Sequence, residues 1–315
     1  MPSLFRDAAF VARATSADFL PAVAPRLEGP ADAWTPVFSA VSAEALRSAE
    51  FRNRFFTVPF PPSASPGIGF ASDSGAIGYT TRVGVQNLRV LDAAWQRHRG
   101  ARPGAARVLD FGCGTGRLLR HACQFGQDVA MMGCDVNPLA IAWIASAFPC
   151  PAHRIPDNGA LDFLTTPLDL IYAWSIFTHF AEAEHLVWLE RLTEKLAPGG
   201  ILLATFKSTD RLARLDSDAD YRAHSGLSAA QVETLRGKVA HGYAFFPIYD
   251  EAKSRAHGID PSTFGQTFIA PDYIARHWSR FGTVREISPA VPEWQDLVVL
   301  QKSSDASSNS AQSAT

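Results

Sequence analysis

From residue 105 onward, short apolar runs alternate with amphipathic stretches at a regular interval. The runs ARVLDF (106–111), DVAMMGCD (128–135), LDLIYAW (168–174) and GILLATF (200–206) hold few polar positions, as strands buried on both faces do. A weaker run lies at AHRI (152–155). Helical patterns start between them at Arg117, at Asn137 with Pro138 in the first helical position, and at Ala181. In the last of these, from Ala181 to Ala197, Leu186, Leu189, Leu192 and Leu196 share a face before PGG. Strand and helix alternating at this spacing predict an α/β fold built on a doubly wound, mostly parallel sheet.

The rhythm breaks over residues 207–269, an insertion with a capping box at Ser228 and Gln231 and the aromatic run GYAFFPIYD. It resumes with PDYIARHWSRFG, a helix with Pro271 at its start and Gly282 as its stop, followed by the strands TVREIS and DLVVLQ. The link between these two strands is too short for a crossover, so they pair antiparallel. Ahead of the regular region, a helix is predicted from Ser42 through AEALRSAEFRNRFF, ending at VPFPPSASPG. The glycine-rich GIGFASDSGAIGYT is expected to be mobile. A helix then spans about Thr80 to Arg99, with Val85, Leu88, Leu91 and Trp95 on one stripe. The expected organisation is a helical lid segment over 1–100, a catalytic domain over 101–302 with the insertion covering the acceptor, and a disordered polar tail over 303–315.

Composition narrows the function classes. The chain has 315 residues, with 29 basic and 31 acidic side chains and a formal charge of −2, which argues against a nucleic-acid partner. No apolar run reaches the length that spans a bilayer, so no membrane partner is expected. The N-terminal stretch lacks a secretory pattern. Cys113, Cys123, Cys134 and Cys150 show neither CxxC nor His-spaced metal patterns and read as reduced residues of a cytoplasmic protein.

The densest chemical signal is VLDFGCGTGR (108–117), where Gly112, Gly114 and Gly116 follow a strand and precede a helix. Glycines at alternate positions admit positive φ and let a ligand approach the backbone closely. In an open α/β sheet that turn lies where ligands bind, beyond the carboxyl ends of the strands. Asp135 ends the second strand and can accept hydrogen bonds from ribose hydroxyls. A dinucleotide reading is open here, although its fingerprint is GxGxxG and this turn is GxGxG.

Several blocks in order resemble the class I S-adenosylmethionine-dependent methyltransferases, over about residues 105–206 and 268–302. VLDFGCGTGRLL resembles the first motif of that family, CDVNPLAI the second-strand motif, and DNGALDF the loop after the third strand. DLIYAWSIFTHF, LAPGGILLATF and DLVVLQ resemble the fourth, fifth and final strand blocks. The resemblance implies a seven-stranded sheet in order 3-2-1-4-5-7-6 and S-adenosylmethionine as cofactor. It places Asp110, Gly112, Cys113, Gly114 and Gly116 around the methionine part, Asp135 and Val136 at the ribose, Asp157 and Asn158 near the adenine, and Trp174 at the fourth strand end. Tyr79 is a candidate to close over the cofactor.

For the acceptor, His179 in SIFTHF is the first candidate base, since imidazole titrates near neutrality. His241 and Tyr243 in the insertion are further candidates, with Phe245, Phe246 and Tyr249 beside them and His257 weaker; the aromatic run reads equally as the insertion's own core. Positions that hold magnesium in catechol-type relatives are Trp174, Ser175, Phe206 and Lys207 here, so no metal is expected. The expected partner is a small-molecule methyl acceptor reacting at oxygen or nitrogen, a secondary metabolite or sugar-containing compound. The N-terminal helices and the insertion are the segments available for a homodimer. Two other readings stand beside it: a NAD-dependent oxidoreductase, and a non-catalytic member of the fold.

Overall fold

A computed structural model describes residues 74–99, 105–125, 129–248, 251–256, 258–291 and 295–304. The helix expected from Ser42, the proline-rich break, Tyr249, His257 and the tail beyond residue 304 lie outside the described residues. In chain order the elements are α1 (Ser74–His98), β1 (Ala106–Phe111), α2 (Leu119–Phe125), β2 (Val129–Asp135), α3 (Pro138–Ala147), β3 (Ala152–Arg154), β4 (Leu168–Ala173), α4 (Glu182–Lys195), β5 (Leu196–Phe206), α5 (Thr209–Ser217), α6 (Ala219–Ser225), α7 (Ala229–Val239), β6 (Tyr243–Phe246), α8 (Glu251–Ala256), β7 (Gln266–Ile269), α9 (Pro271–Trp278), β8 (Thr283–Val291) and β9 (Gln295–Gln301).

Seven strands form one sheet in the order β3-β2-β1-β4-β5-β9-β8, and β6 pairs with β7 separately. Because the insertion contributes β6 and β7, this is the expected order with the last two strands renumbered. The β1–β2, β2–β3 and β4–β5 pairs are parallel, whereas β5–β9 and β8–β9 are antiparallel. Two compact units emerge among the described residues: those from 74 to 160 together with Ala252–Ile259, and Leu161–Glu251 together with those from 260 to 304.

In the first unit, β1 is buried almost throughout, with Val108 and Leu109 wholly enclosed, which is why its sequence runs apolar rather than alternating. α3 starts where its cap residues predict: Asn137 Oδ1 accepts from the N–H groups of Leu139 and Ala140, and Pro138 follows. α1 begins at Ser74, inside the stretch expected to be mobile. Gly75 and Gly78 weaken a helix by about 1 kcal/mol each, which is why propensity alone starts it later; the buried stripe of Leu88, Leu91 and Trp95 anchors it through packing. Gly84 on this helix lets α1 close on the start of α2, since a Cβ there would lie 2.5 Å from the Arg117 carbonyl oxygen.

In the second unit, β4 and the apolar part of β5 are fully buried. α9 is tied to α4 by the Trp278 indole, which donates to His185 Nε2 at 2.8 Å inside the core. The helix stops at Trp278, ahead of Gly282. The insertion folds around its own core of Leu212, Leu215, Tyr221, Leu227, Val232, Leu235, Ala244 and Phe268, with Phe246 packed against it. The capping box at the start of α7 is formed, with Ser228 and Gln231 exchanging backbone-to-side-chain bonds. Where the insertion leaves β5, Asp296 accepts from Ser208 N–H at 2.9 Å and binds the Arg211 guanidinium through both oxygens, at 3.0 and 2.7 Å.

Candidate functional site

In the first unit, Gly112, Gly114 and Gly116 have φ of 74°, 50° and 84°, the left-handed region that side chains disfavour. Gly112 and Cys113 donate their N–H groups to Cys134 O at 2.8 and 3.0 Å, pinning the start of the turn to the end of β2. The glycines have different neighbours. A Cβ at Gly116 would meet Phe148 Cζ at 2.3 Å and Ile144 Cδ1 at 2.6 Å, so its bareness serves the packing of α3. A Cβ at Gly114 would meet nothing within 4 Å, leaving an open cradle above the backbone.

Asp135 ends β2 beside that cradle. One carboxylate oxygen accepts from Gly114 N–H and the other from Asn137 N–H, both at 2.8 Å, which fixes its orientation while the residue stays half-buried. Asp110 is buried. Cys113 is also buried, its thiol pKa pushed up by burial and then by the neighbouring Asp110 and Asp135 charges, so it presents backbone rather than a reactive thiolate. Val136 lies under Gly258, whose Cβ would come within 2.9 Å of the Val136 carbonyl oxygen. Asp157 and Asn158 are exposed in the turn after β3. Asp157 pairs with Arg154 at 2.9 Å, and Asn158 Oδ1 accepts from Ala160 N–H. Tyr79 lies on α1, its side chain outside the described part.

In the second unit, Trp174 is buried just past β4, and Ser175 after it has φ of 61°, the one positive value at a non-glycine among the described residues. Such strain persists where its surroundings enforce it: Ser175 N–H donates to Thr205 Oγ1 at 2.8 Å, and Ser175 Oγ accepts from Gln295 Nε2 at 2.6 Å. Gln295 Oε1 is buried with no hydrogen-bond partner. His179 Nδ1 lies 2.7 Å from Gly265 O, so it carries the proton and donates, and the ring stacks on Phe264. Burial first, and the nearby Lys207 charge second, push its pKa down to about 3. The imidazole is therefore neutral at physiological pH, with its lone pair on Nε2. Tyr243 is buried and donates its hydroxyl to Phe180 O at 3.0 Å, while burial raises its pKa well above the usual phenol range. His241 is exposed in the turn before β6. The structure thus brings Gly114 and Asp135 together in one unit and His179 beside the β7 strand in the other.

Lys207, Gln266, Ser175 and Gln295 were not singled out as site residues from sequence. The available signal was Lys207, a cation ending a strand that is otherwise apolar.

A family model described as a methyltransferase domain matches residues 81–246, from α1 through the glycine turn to β6. The chain belongs to this family. Among curated proteins it is similar to a trans-aconitate 2-methyltransferase of Methylobacterium nodulans, 32% identical over 97 residues, covering 31% of this chain and 36% of the relative. A trans-aconitate 2-methyltransferase of Deinococcus radiodurans is 28% identical over 158 residues, 50% of this chain and 52% of the relative. The chain therefore spans about a third to a half of the length of these relatives. Among solved structures, a magnesium protoporphyrin IX methyltransferase from Synechocystis with bound SAH is 14% identical at a TM-score of 0.43, covering 72% of this chain and 87% of that one.

Class I methyltransferases use S-adenosylmethionine, and the residues present suit it. The open face of Gly114 leaves room for the methionine part to pass close against the backbone. The carboxylate of the half-buried Asp135, acceptor-only when ionised and with a second lone pair on each oxygen, matches a pair of hydroxyl donors.

Proposed function

We propose that this chain methylates an oxygen or nitrogen of a small-molecule acceptor, using S-adenosylmethionine. The observation that carries the reading is the glycine turn, open above Gly114 and bonded to the Asp135 carboxylate, in a member of the methyltransferase family. When bound, S-adenosylmethionine supplies an electrophilic sulfonium methyl group. Asp135 would orient the ribose, and Asp157 and Asn158 would flank the adenine.

His179 acts as a neutral hydrogen-bond acceptor that orients the methyl acceptor. A group with pKa near 3 removes a proton from an alcohol poorly, so a nucleophile that needs no deprotonation suits the site better: an amine whose own N–H donates to Nε2, or the carboxylate of an acid that has a separate hydroxyl to donate there. Tyr243 is a positioning residue, since its proton is committed to Phe180 O, and exposed His241 belongs to the cover over the acceptor. The trans-aconitate relatives support a small acid as acceptor. No helix among the described residues is long and apolar enough to cross a membrane. A cytoplasmic location belongs to the same reading, supported by four free cysteines.

Calorimetric titration with S-adenosylmethionine, S-adenosylhomocysteine and NAD tests this. Micromolar binding of the first two and none of NAD is expected. NAD binding alone would overturn the reading in favour of an oxidoreductase.

A further inference from the structure

Lys207 follows directly on β5, where the strand emerges from the core. The residue is half-buried; its ammonium donates to Gln266 Oε1 and lies over the Phe268 ring at 5.7 Å from the centroid. Gln266 cannot turn away, because its Nε2 donates to Ser225 O at 2.9 Å, which leaves its oxygen facing the lysine. The residue before it, Gly265, holds His179 through its carbonyl, so the imidazole, the amide and the ammonium form one cluster. The neighbours of Lys207 among the described residues, the Gln266 amide, the Phe268 ring and the His179 imidazole, are neutral. Among the described residues no carboxylate pairs with it, and burial pushes its pKa down to about 8. The fold does provide counter-ions where structure alone needs them: Arg211, four residues further on, has Asp296 on two of its nitrogens. A partly desolvated cation with no anion beside it among the described residues is costly, and a perturbed charge of that kind marks a candidate binding site.

We propose that Lys207, oriented by Gln266 and adjoining His179, is the subsite that receives a carboxylate of the methyl acceptor. One ammonium beside a neutral amide and a neutral imidazole meets one carboxylate group at a time, and the other carboxylates of a polyacid such as citrate stay in solvent. A phosphate dianion calls for further cations or a fan of donors, which the cluster lacks. The inference deepens the methyltransferase reading by naming the acceptor class, and only that naming rests on it; the anion subsite stands on its own geometry.

The chain has five lysines, so the side-chain resonances of the full-length protein labelled with ¹³C,¹⁵N-lysine separate readily, and Lys207→Met assigns the signal by its loss. The Lys207 signal is expected to titrate near pH 8 in ligand-free protein. Citrate should move that midpoint upward by about one pH unit, and inorganic phosphate should move it much less. By calorimetry, citrate should bind Lys207→Met at least tenfold more weakly and Lys207→Arg within a few-fold of wild type, with S-adenosylmethionine affinity unchanged in both. A midpoint unmoved by citrate, or citrate binding retained in Lys207→Met, overturns the subsite. An equal response to phosphate overturns its assignment to a carboxylate. Failure of S-adenosylmethionine to bind wild type would instead sink the methyltransferase reading and leave the citrate result standing.

Discussion

Alanine at Gly114 or at Gly116 adds one methyl group to the same turn, with opposite balances of stability and binding. At both positions the residue sits in the left-handed region, at φ of 50° and 84°, which costs a non-glycine residue roughly 1–2 kcal/mol. At Gly114 that is the whole cost to the fold, because the new Cβ meets nothing within 4 Å. The same methyl group occupies the space assigned to the cofactor, so S-adenosylmethionine affinity should fall at least about tenfold, or about 1.4 kcal/mol. At Gly116 the Cβ lands 2.3 Å from Phe148 Cζ and 2.6 Å from Ile144 Cδ1. Overpacking of this kind adds about 1–3 kcal/mol to the backbone cost, for a total of roughly 2–5 kcal/mol. Urea unfolding midpoints give the stabilities and calorimetric titration gives the affinities. Gly116→Ala combined with Phe148→Leu should recover part of the lost stability, because the two sites share one contact. Wild-type cofactor affinity in Gly114→Ala would refute the cradle. Equal destabilisation by the two alanines would refute the packing argument for Gly116.

Asp135→Ala should weaken S-adenosylmethionine binding by about 1–3 kcal/mol in the same titration, through loss of charged hydrogen bonds to the ribose. Asp296→Ala strands the Arg211 guanidinium in a largely buried site, and a loss of about 3–5 kcal/mol in urea unfolding is expected. Lys207 gives a pH signature of known sign. Its folded pKa of about 8 lies below the ordinary 10.5, so the unfolded chain binds more protons between those values and wild-type stability rises with pH across that window. Lys207→Met lacks this dependence, so its stability relative to wild type should be greatest below pH 8 and decline toward pH 10.5. Parallel pH–stability curves for the two proteins would remove the desolvated charge from the account.

The apolar runs over 106–111, 168–174 and 200–206 identified β1, β4 and β5, because parallel strands buried on both faces leave a continuous signature. Local capping chemistry made the starts of α3 and α7 legible at Asn137 and Ser228. α1 was less so: its first turns hold Gly75 and Gly78, and only packing of the later stripe carries the helix back to Ser74. Within the insertion, sequence left the aromatic run open between site and core; the structure commits Tyr243 to Phe180 and packs Phe246 on the insertion's own core.

What the sequence by itself determined is therefore the local, periodic part: the order of strands and helices, the antiparallel last pair, the glycine turn and the acid at the end of β2. Each of these depends on residues near one another in the chain. The tertiary structure alone decided which glycine faces open space and which faces Phe148, that His179 is neutral, and that Lys207 meets the Gln266 amide and the Phe268 ring. Those properties are set by desolvation and by partners 32, 59 or 86 residues away, as in Gly116 with Phe148, Lys207 with Gln266 and His179 with Gly265, and no periodicity along the chain encodes them.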